Sequence, residues 1–399
     1  MRDTRFLIIF AAAIGLLSSS AQAQEQQIEV PIAYLTQRIK SLPPLSLVDQ
    51  PTTDNGLMGA RLGIEDNNTT GKFTGQHFLL NESVVPESGD VTATFRDLYA
   101  KGNRVFVIDL PAGQLLTVAD LPEAKDALLF NVRAKDDILR NDQCRANVLH
   151  TVPNYAMLAD GLAQYLVWKR WSNWLLVAGT TEDDRLYAEA LRHAAEKFSA
   201  TIVEERVFDA APGSRRTDSG HAQIQKQMPV FTQDAEDYDV LVVSDVEDAF
   251  GEYLQYRTWD PRPVVGTHGL VPTAWHRSQE QWGATQMQNR FARFAGRWMT
   301  ERDYAAWVAV RSVSEATTHT KTADLAAVSA YIRGPDFGVA GFKGQKLTFR
   351  EWDGQLRQPI LLTTARTLVS VSPQEGFLHE FSELDTLGFD RPDTTCELQ

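Results

Sequence analysis

Apolar and polar positions alternate along this chain in two rhythms that take turns. Short apolar runs that stop abruptly at polar clusters read as strands buried on both faces: residues 105–108 (VFVI), 127–131 (ALLFN), 174–178 (WLLVA), 240–243 (VLVV) and 264–266 (VVG). Between them lie stretches with helical spacing. In residues 154–170 the positions Tyr155, Leu158, Leu162, Tyr165, Leu166 and Lys169 fall on one face, and an amphipathic helix is predicted over 184–199.

The series begins earlier. Residues 28–35 (IEVPIAYL) predict a first strand, which Pro31 places at an edge, and 36–51 form a Pro-containing loop. A helix is predicted over 56–66, a polar Gly-punctuated turn over 67–76 (NNTTGKFTGQ), and a second strand over 77–80. Helices over 91–100 and 112–119 flank the next strand, and 201–208 gives one more. Repeated strand–helix steps make parallel sheets with right-handed crossovers. The fold class is therefore α/β, with two Rossmann-like lobes joined near residues 126–181 and a cleft where they meet. Beyond 273 the pattern changes to helices over 282–300, 304–317 and 324–331. A hairpin follows over 346–362, in which Asp353-Gly354 predicts a two-residue type I′ turn.

At 399 residues the chain is long enough for two domains. The N-terminus has Arg2 and Arg5, an apolar core over 6–17 and a small-residue run ending Ala21-Gln22-Ala23, which is the pattern of an export signal cleaved after Ala23. Twelve apolar residues are too few to span a bilayer. Residues 1–23 carry a net +1, so the mature chain stands at −14, a charge that argues against nucleic acid or anionic lipid as a partner. The two cysteines, Cys144 and Cys396, suggest one disulfide in an oxidising compartment, with a pair of free buried thiols as the alternative.

Catalytic signatures are missing. The sequence has no G-x-S-x-G elbow, and its eight histidines form no H-E-x-x-H or paired-cysteine metal pattern. Gly338, Gly341 and Gly344 do not follow a strand at dinucleotide-binding spacing, and Asp183-Asp184 suits a helix start. The residues point to no enzyme, no metal and no cofactor.

In open α/β sheets ligands sit beyond the carboxyl ends of the strands. That rule nominates Asp109, Asn131, Arg133 and Lys135 in the first lobe. In the second it nominates Thr180, Thr181, Ser244, Asp245, Glu247, Thr267 and His268. Arg133 could fork onto a carboxylate, or it could be a solvated or hinge-bridging ion pair. Asp245 and His268 could equally cap a turn. Trp275, like the nine tryptophans as a set, reads as packing.

The order of these pieces, with the late helices and the terminal Phe349-Arg-Glu-Trp-Asp-Gly-Gln355 hairpin, resembles the type I periplasmic solute-binding proteins of ABC transporters, in their branched-chain amino acid branch. The stretch 137–153 (DILRNDQCRANVLHTVP) with 157–161 (MLADG) is similar to a subgroup associated with pyrroloquinoline quinone (PQQ)-dependent alcohol dehydrogenase systems. The resemblance implies a periplasmic protein that binds a small solute and delivers it to an inner-membrane ABC permease. It also implies three hinge crossings, near 130–149, 269–273 and 334–337. Lobe 1 is then 24–147 with 270–334, and lobe 2 is 148–269 with 335–399. Relatives hold the substrate carboxylate with hydroxyl residues after the third and fourth strands, where this chain has Asp109-Leu-Pro-Ala112 and Asn131-Val-Arg-Ala134. That departure favours a carboxylate ligand over an α-amino acid. The competing expectation is a ligand-sensing or accessory module that docks on a receptor or dehydrogenase.

Overall fold

The computed structural model describes residues 27–40, 52–210 and 224–398. The export signal, most of the 36–51 loop and residues 211–223 lie outside the described residues.

The first lobe alternates strand and helix: β1 (Ile28–Gln37), α1 (Leu57–Thr74), β2 (Gln76–Val85), α2 (Val91–Ala100), β3 (Val105–Asp109), α3 (Ala112–Ala119), β4 (Leu128–Asn131) and β5 (Val148–His150). The strands form one parallel sheet in the order β2-β1-β3-β4-β5. Strand alternation divides its side chains between two cores. Ile32, Tyr34, Val107 and Phe130 face one side, and Ala33, Leu35, Phe106 and Ile108 face the other. Such two-sided burial is why these strands appear in sequence as unbroken apolar runs.

The second lobe continues with α4 (Tyr155–Trp168), β6 (Asn173–Ala178), α5 (Glu182–Lys197), β7 (Thr201–Val207), α6 (Ile224–Phe231), β8 (Val240–Ser244), α7 (Gly251–Arg257) and β9 (Val264–Gly266). Its parallel sheet runs β7-β6-β8-β9. The chain then follows β10 (Val271–Thr273), α8 (Ala284–Ala295), α9 (Glu301–Thr320), α10 (Leu325–Arg333), β11 (Val339–Ala340), β12 (Lys346–Phe349), β13 (Leu356–Arg357), β14 (Ile360–Thr363) and β15 (Leu368–Ser372). Helices α8 to α10 return to the first lobe's core, where α9 lies along α1. Strand β14 sits between β10 and β15 in an antiparallel sheet against the second lobe. No helix among the described residues is long and apolar enough to cross a membrane.

Several local expectations are corrected. Residues 67–74 continue α1 instead of turning. Asn67 donates to the Val310 carbonyl at 3.0 Å, and Asn68 pairs with both the N–H and the carbonyl of Phe78, so tertiary partners absorb the polar side chains. The helix ends only at Gly75, whose φ of 67° is the left-handed stop. Pro31 is on an interior strand, but pairing with β3 begins one residue later at Ile32, which leaves the proline without a neighbour on that side. The hairpin turn is four residues, not two. Arg350 N–H donates to Gln355 at 2.9 Å, and of the central pair only Gly354 has positive φ, whereas a type I′ turn needs two.

The crossings also shift. Strand β5 belongs to the first sheet, so the first crossing is at 151–154. The second is at Thr273-Ala274, because Ala274 and Trp275 join the first core. Val339, Leu347, Phe349 and Leu356 pack in the first core while Ile360 and Leu362 pack in the second. The third crossing is thus at 357–360, not 334–337, and the β12–β13 hairpin sits with lobe 1.

Candidate functional site

The carboxyl ends of both sheets open on one interlobe cleft of about 1090 Å³. This is slightly above the usual range for small-ligand sites, about 300–1,000 Å³.

On the first-lobe side two guanidinium groups flank one carboxylate. Asp109, at the end of β3, is 2% exposed and takes hydrogen bonds on one oxygen from Tyr34 OH at 2.8 Å and Thr36 Oγ1 at 3.1 Å. Its other oxygen has no hydrogen bond but lies 3.8 Å from Arg133 and 3.6 Å from Arg302. Asp109 itself does not line the cleft; the two arginines in front of it do. Burial, and next the Arg302 charge, push Arg133 below the usual guanidinium range. Asp109 answers only one of the two positive charges, Asp136 lies on the same wall, and the arginine N–H groups remain available as donors to a ligand.

Lys135 lines the same wall but is tied to Glu301 at 2.5 Å. Burial pushes the Glu301 carboxyl up, yet Lys135 and hydrogen bonds from Ala274 N–H and Thr273 Oγ1 outweigh it and hold Glu301 below its ordinary value. Asn131 is turned inward: its carboxamide oxygen accepts from the Arg133 and Ala134 N–H groups and its nitrogen reaches His150 at 3.0 Å, so it shapes the turn that aims Arg133.

The second-lobe wall begins with two aromatic rings. Tyr155, the first residue of α4, and Tyr187 of α5 lie with centroids 5.5 Å apart, and both face the cleft. The Tyr187 hydroxyl is buried without a hydrogen-bond partner. Asp183 is hydrogen-bonded by Tyr155, and burial followed by the nearby Asp136 raises its carboxyl above the usual range.

Thr181 caps α5 by accepting from Asp184 N–H, and Asp184 returns the bond in a capping box. Thr180 is exposed and outside the cleft lining, and Ser244 is buried with its hydroxyl on the Asp184 carbonyl at 2.6 Å. Asp245, Glu247, Thr267 and His268 do line the cleft. Asp245 accepts three backbone N–H bonds, from Ala249, Phe250 and Gly251, so it organises its own loop. His268 bridges Thr267 and Asp248 at 3.0 and 2.9 Å. Ligand atoms of Asp245, Asp248 and His268 fall within 4.8 Å of one another, the one grouping among the described residues that could hold a cation. The Asp245 carboxylate is already spent on its loop.

The strand-end rule therefore brought Arg133, Lys135, Thr181, Asp245, Glu247, Thr267 and His268 to the cleft. It missed Arg302, Tyr155, Asp183 and Tyr187, all contributed by helices. Their only sequence signal is position in or near a first helical turn pointing at the crossing. Cys144 and Cys396 form a disulfide with Cα atoms 5.7 Å apart.

No protein-family model and no curated protein sequence matches the chain. Solved structures do. A Leu-, Ile-, Val-, Thr- and Ala-binding protein from Brucella ovis, in a closed conformation, superposes with a TM-score of 0.68 at 14% identity, covering 93% of this chain and 99% of that one. A branched-chain amino acid ABC transporter periplasmic ligand-binding protein from Burkholderia xenovorans gives 0.67 at 16% identity, with 86% and 95% covered. A periplasmic binding protein from Burkholderia mallei gives 0.66 at 13% identity, with 93% and 99% covered. The chain has the type I periplasmic binding protein fold, two parallel-sheet lobes around a cleft.

Proposed function

We propose that this protein is the periplasmic substrate-binding component of an ABC transporter, holding a small carboxylate in the interlobe cleft for delivery to a membrane permease, without chemistry of its own. The observation that carries the reading is the Arg133–Arg302 pair, which shares one buried counter-charge and turns its remaining donors to the cleft. Arginine forks suit a carboxylate. The hydroxyl residues used for an α-amino acid's carboxylate are absent after β3 and β4. The facing wall is acidic, with Glu182, Asp183, Asp245 and Glu247, of which Asp183 and Asp245 already have donors, and Tyr155, Tyr187 and Leu158 offer surface for the ligand's body. A link to a PQQ-dependent alcohol dehydrogenase system has the resemblance of residues 137–153 as its one support.

Thermal melting against short-chain carboxylates, hydroxy acids, α-amino acids and quinone cofactors tests the proposal. A ligand at ~100 times its dissociation constant adds about 2.7 kcal/mol, a shift of a few degrees. Carboxylates should shift the melting point of the native protein and not that of Arg133→Ala. A response to amino acids alone would overturn the carboxylate assignment. No response to any compound would bring forward the docking-module reading.

A further inference from the structure

The C-terminal tail joins the two lobes a fourth time. Leu387 is fully buried in the second lobe's core. Beside it Gly388 is clamped by that lobe: its N–H donates to Asp160 of α4 at 2.7 Å, and its carbonyl accepts from Lys197 at 2.9 Å. The tail then passes the first lobe's hairpin. Arg350, 1% exposed at the end of β12, donates to the carbonyls of Leu384, Leu387 and Phe389, and Trp352 Nε1 also reaches Phe389 at 3.2 Å. Finally the tail fastens to the first lobe between β4 and β5. Thr394 Oγ1 donates to the Arg140 carbonyl at 2.7 Å, Thr395 N–H donates to Asn141, and Cys396 is bonded to Cys144.

We propose that residues 388–396 are a covalently closed strap that sets an upper limit on how far the lobes open. The inference rests on the reading that the lobes move about the three crossings. Nine residues fully extended span about 30 Å at most. Turns closed by Asp393 and Thr394 N–H on the Asp390 carbonyl gather in part of that length. Moderate opening can draw on this slack; wider opening meets the disulfide. With the bond cut, Arg350 and Trp352 still hold the tail as far as Phe389, but beyond it the contacts to the first lobe are the Thr394 and Thr395 hydrogen bonds to Arg140, Asn141 and Asp142, which individually contribute little. The 252 residues between the cysteines take in the whole second lobe, with β1 to β4 of the first lobe outside the closed loop.

The test is the lobe-to-lobe distance distribution in the ligand-free full chain, between non-cysteine labels at the exposed positions Asp97 on α2 and Glu252 on α7. The oxidised protein should give one bounded distribution, and Cys144→Ser/Cys396→Ser a broader one with an added long-distance population. If that variant does not fold, native protein reduced after folding and a chain ending at Asp393, which keeps the Leu387 anchor, serve instead. Superimposable distributions in bonded and unbonded proteins would overturn the strap. Because no ligand is present, a failure of the carboxylate reading leaves this outcome untouched.

Discussion

Lys343, in the loop between β11 and β12, offers the sharpest check on the hinge chemistry. Its amine is buried and donates to Gln358 Oε1 and the Pro359 carbonyl, both at 2.9 Å, while the Tyr304 ring lies 4.9 Å away. Gln358 donates in turn to the Thr151 carbonyl, so Lys343 joins the third crossing to the first. A neutral amine has two N–H groups and finds two hydrogen-bond acceptors; an ammonium would carry a third N–H with only the Tyr304 ring nearby. Burial pushes the Lys343 ammonium down to about 7, against a small opposing pull from Glu301. The unfolded chain holds its proton up to about 10.4. Unfolding then takes up a proton between these values, and stability must rise with pH across the window and fall as pH drops through it. From pH 7.5 to 9.5 the contribution of this one group works out to a gain of about 2.5 kcal/mol. Urea unfolding of the native protein and Lys343→Met at both pH values isolates it. The variant leaves two acceptors without a partner, at about 1–3 kcal/mol each, but that cost does not depend on pH and drops out of the comparison. The native protein should gain about 2.5 kcal/mol relative to the variant. A difference between the two proteins that stays constant would refute the reasoning, since the lysine would then be charged in the fold.

Three further substitutions probe how the lobes are held. A Cβ on Gly59 would stand 1.9 Å from the Asp303 carbonyl oxygen where α1 crosses α9, so Gly59→Ala should destabilise by about 3 kcal/mol in denaturant unfolding; Gly113→Ala, in an open helical position, should be neutral or slightly stabilising. Asp160→Ala removes the carboxylate that holds both Lys197 and the Gly388 N–H, and the unfolding midpoint should drop by an amount equal to about 3 kcal/mol.

Much of the scaffold was legible because its strands are buried on both faces. Runs such as VFVID and WLLVA have no polar interruption to confuse with a loop. What was not legible depends on partners far away in the chain. The polar half of α1 looks like a turn until Val310 and Phe78 supply its hydrogen bonds. Strand β5 has three residues, too short for any periodicity. The third crossing was misplaced because the β12–β13 hairpin carries alternating apolar residues that suit either lobe, and only packing assigns them to the first.

The cleft shows the same division. A strand end supplies polar residues for two purposes, to meet a ligand and to cap the turn that follows, and sequence does not separate them. Asn131 and Ser244 went to the turn, whereas Arg133 and His268 reached the cleft. The stretch 137–153, which carries the finer family resemblance, goes wholly to structure in its polar parts. Asp137 accepts the Ala156 N–H at 3.0 Å, and Arg140, fully buried, donates to Gln355 and to the carbonyls of Ala134 and Val152. Asn147 braces two carbonyls ahead of β4, and Cys144 takes the tail. A likeness in these residues therefore reports a shared hinge and strap, which different ligands could use alike. Information about the ligand resides instead in Arg133, Arg302, Tyr155 and Asp183, where two lobes present unlike charge to the same space, and substitutions there should change what is bound while leaving the hinge intact.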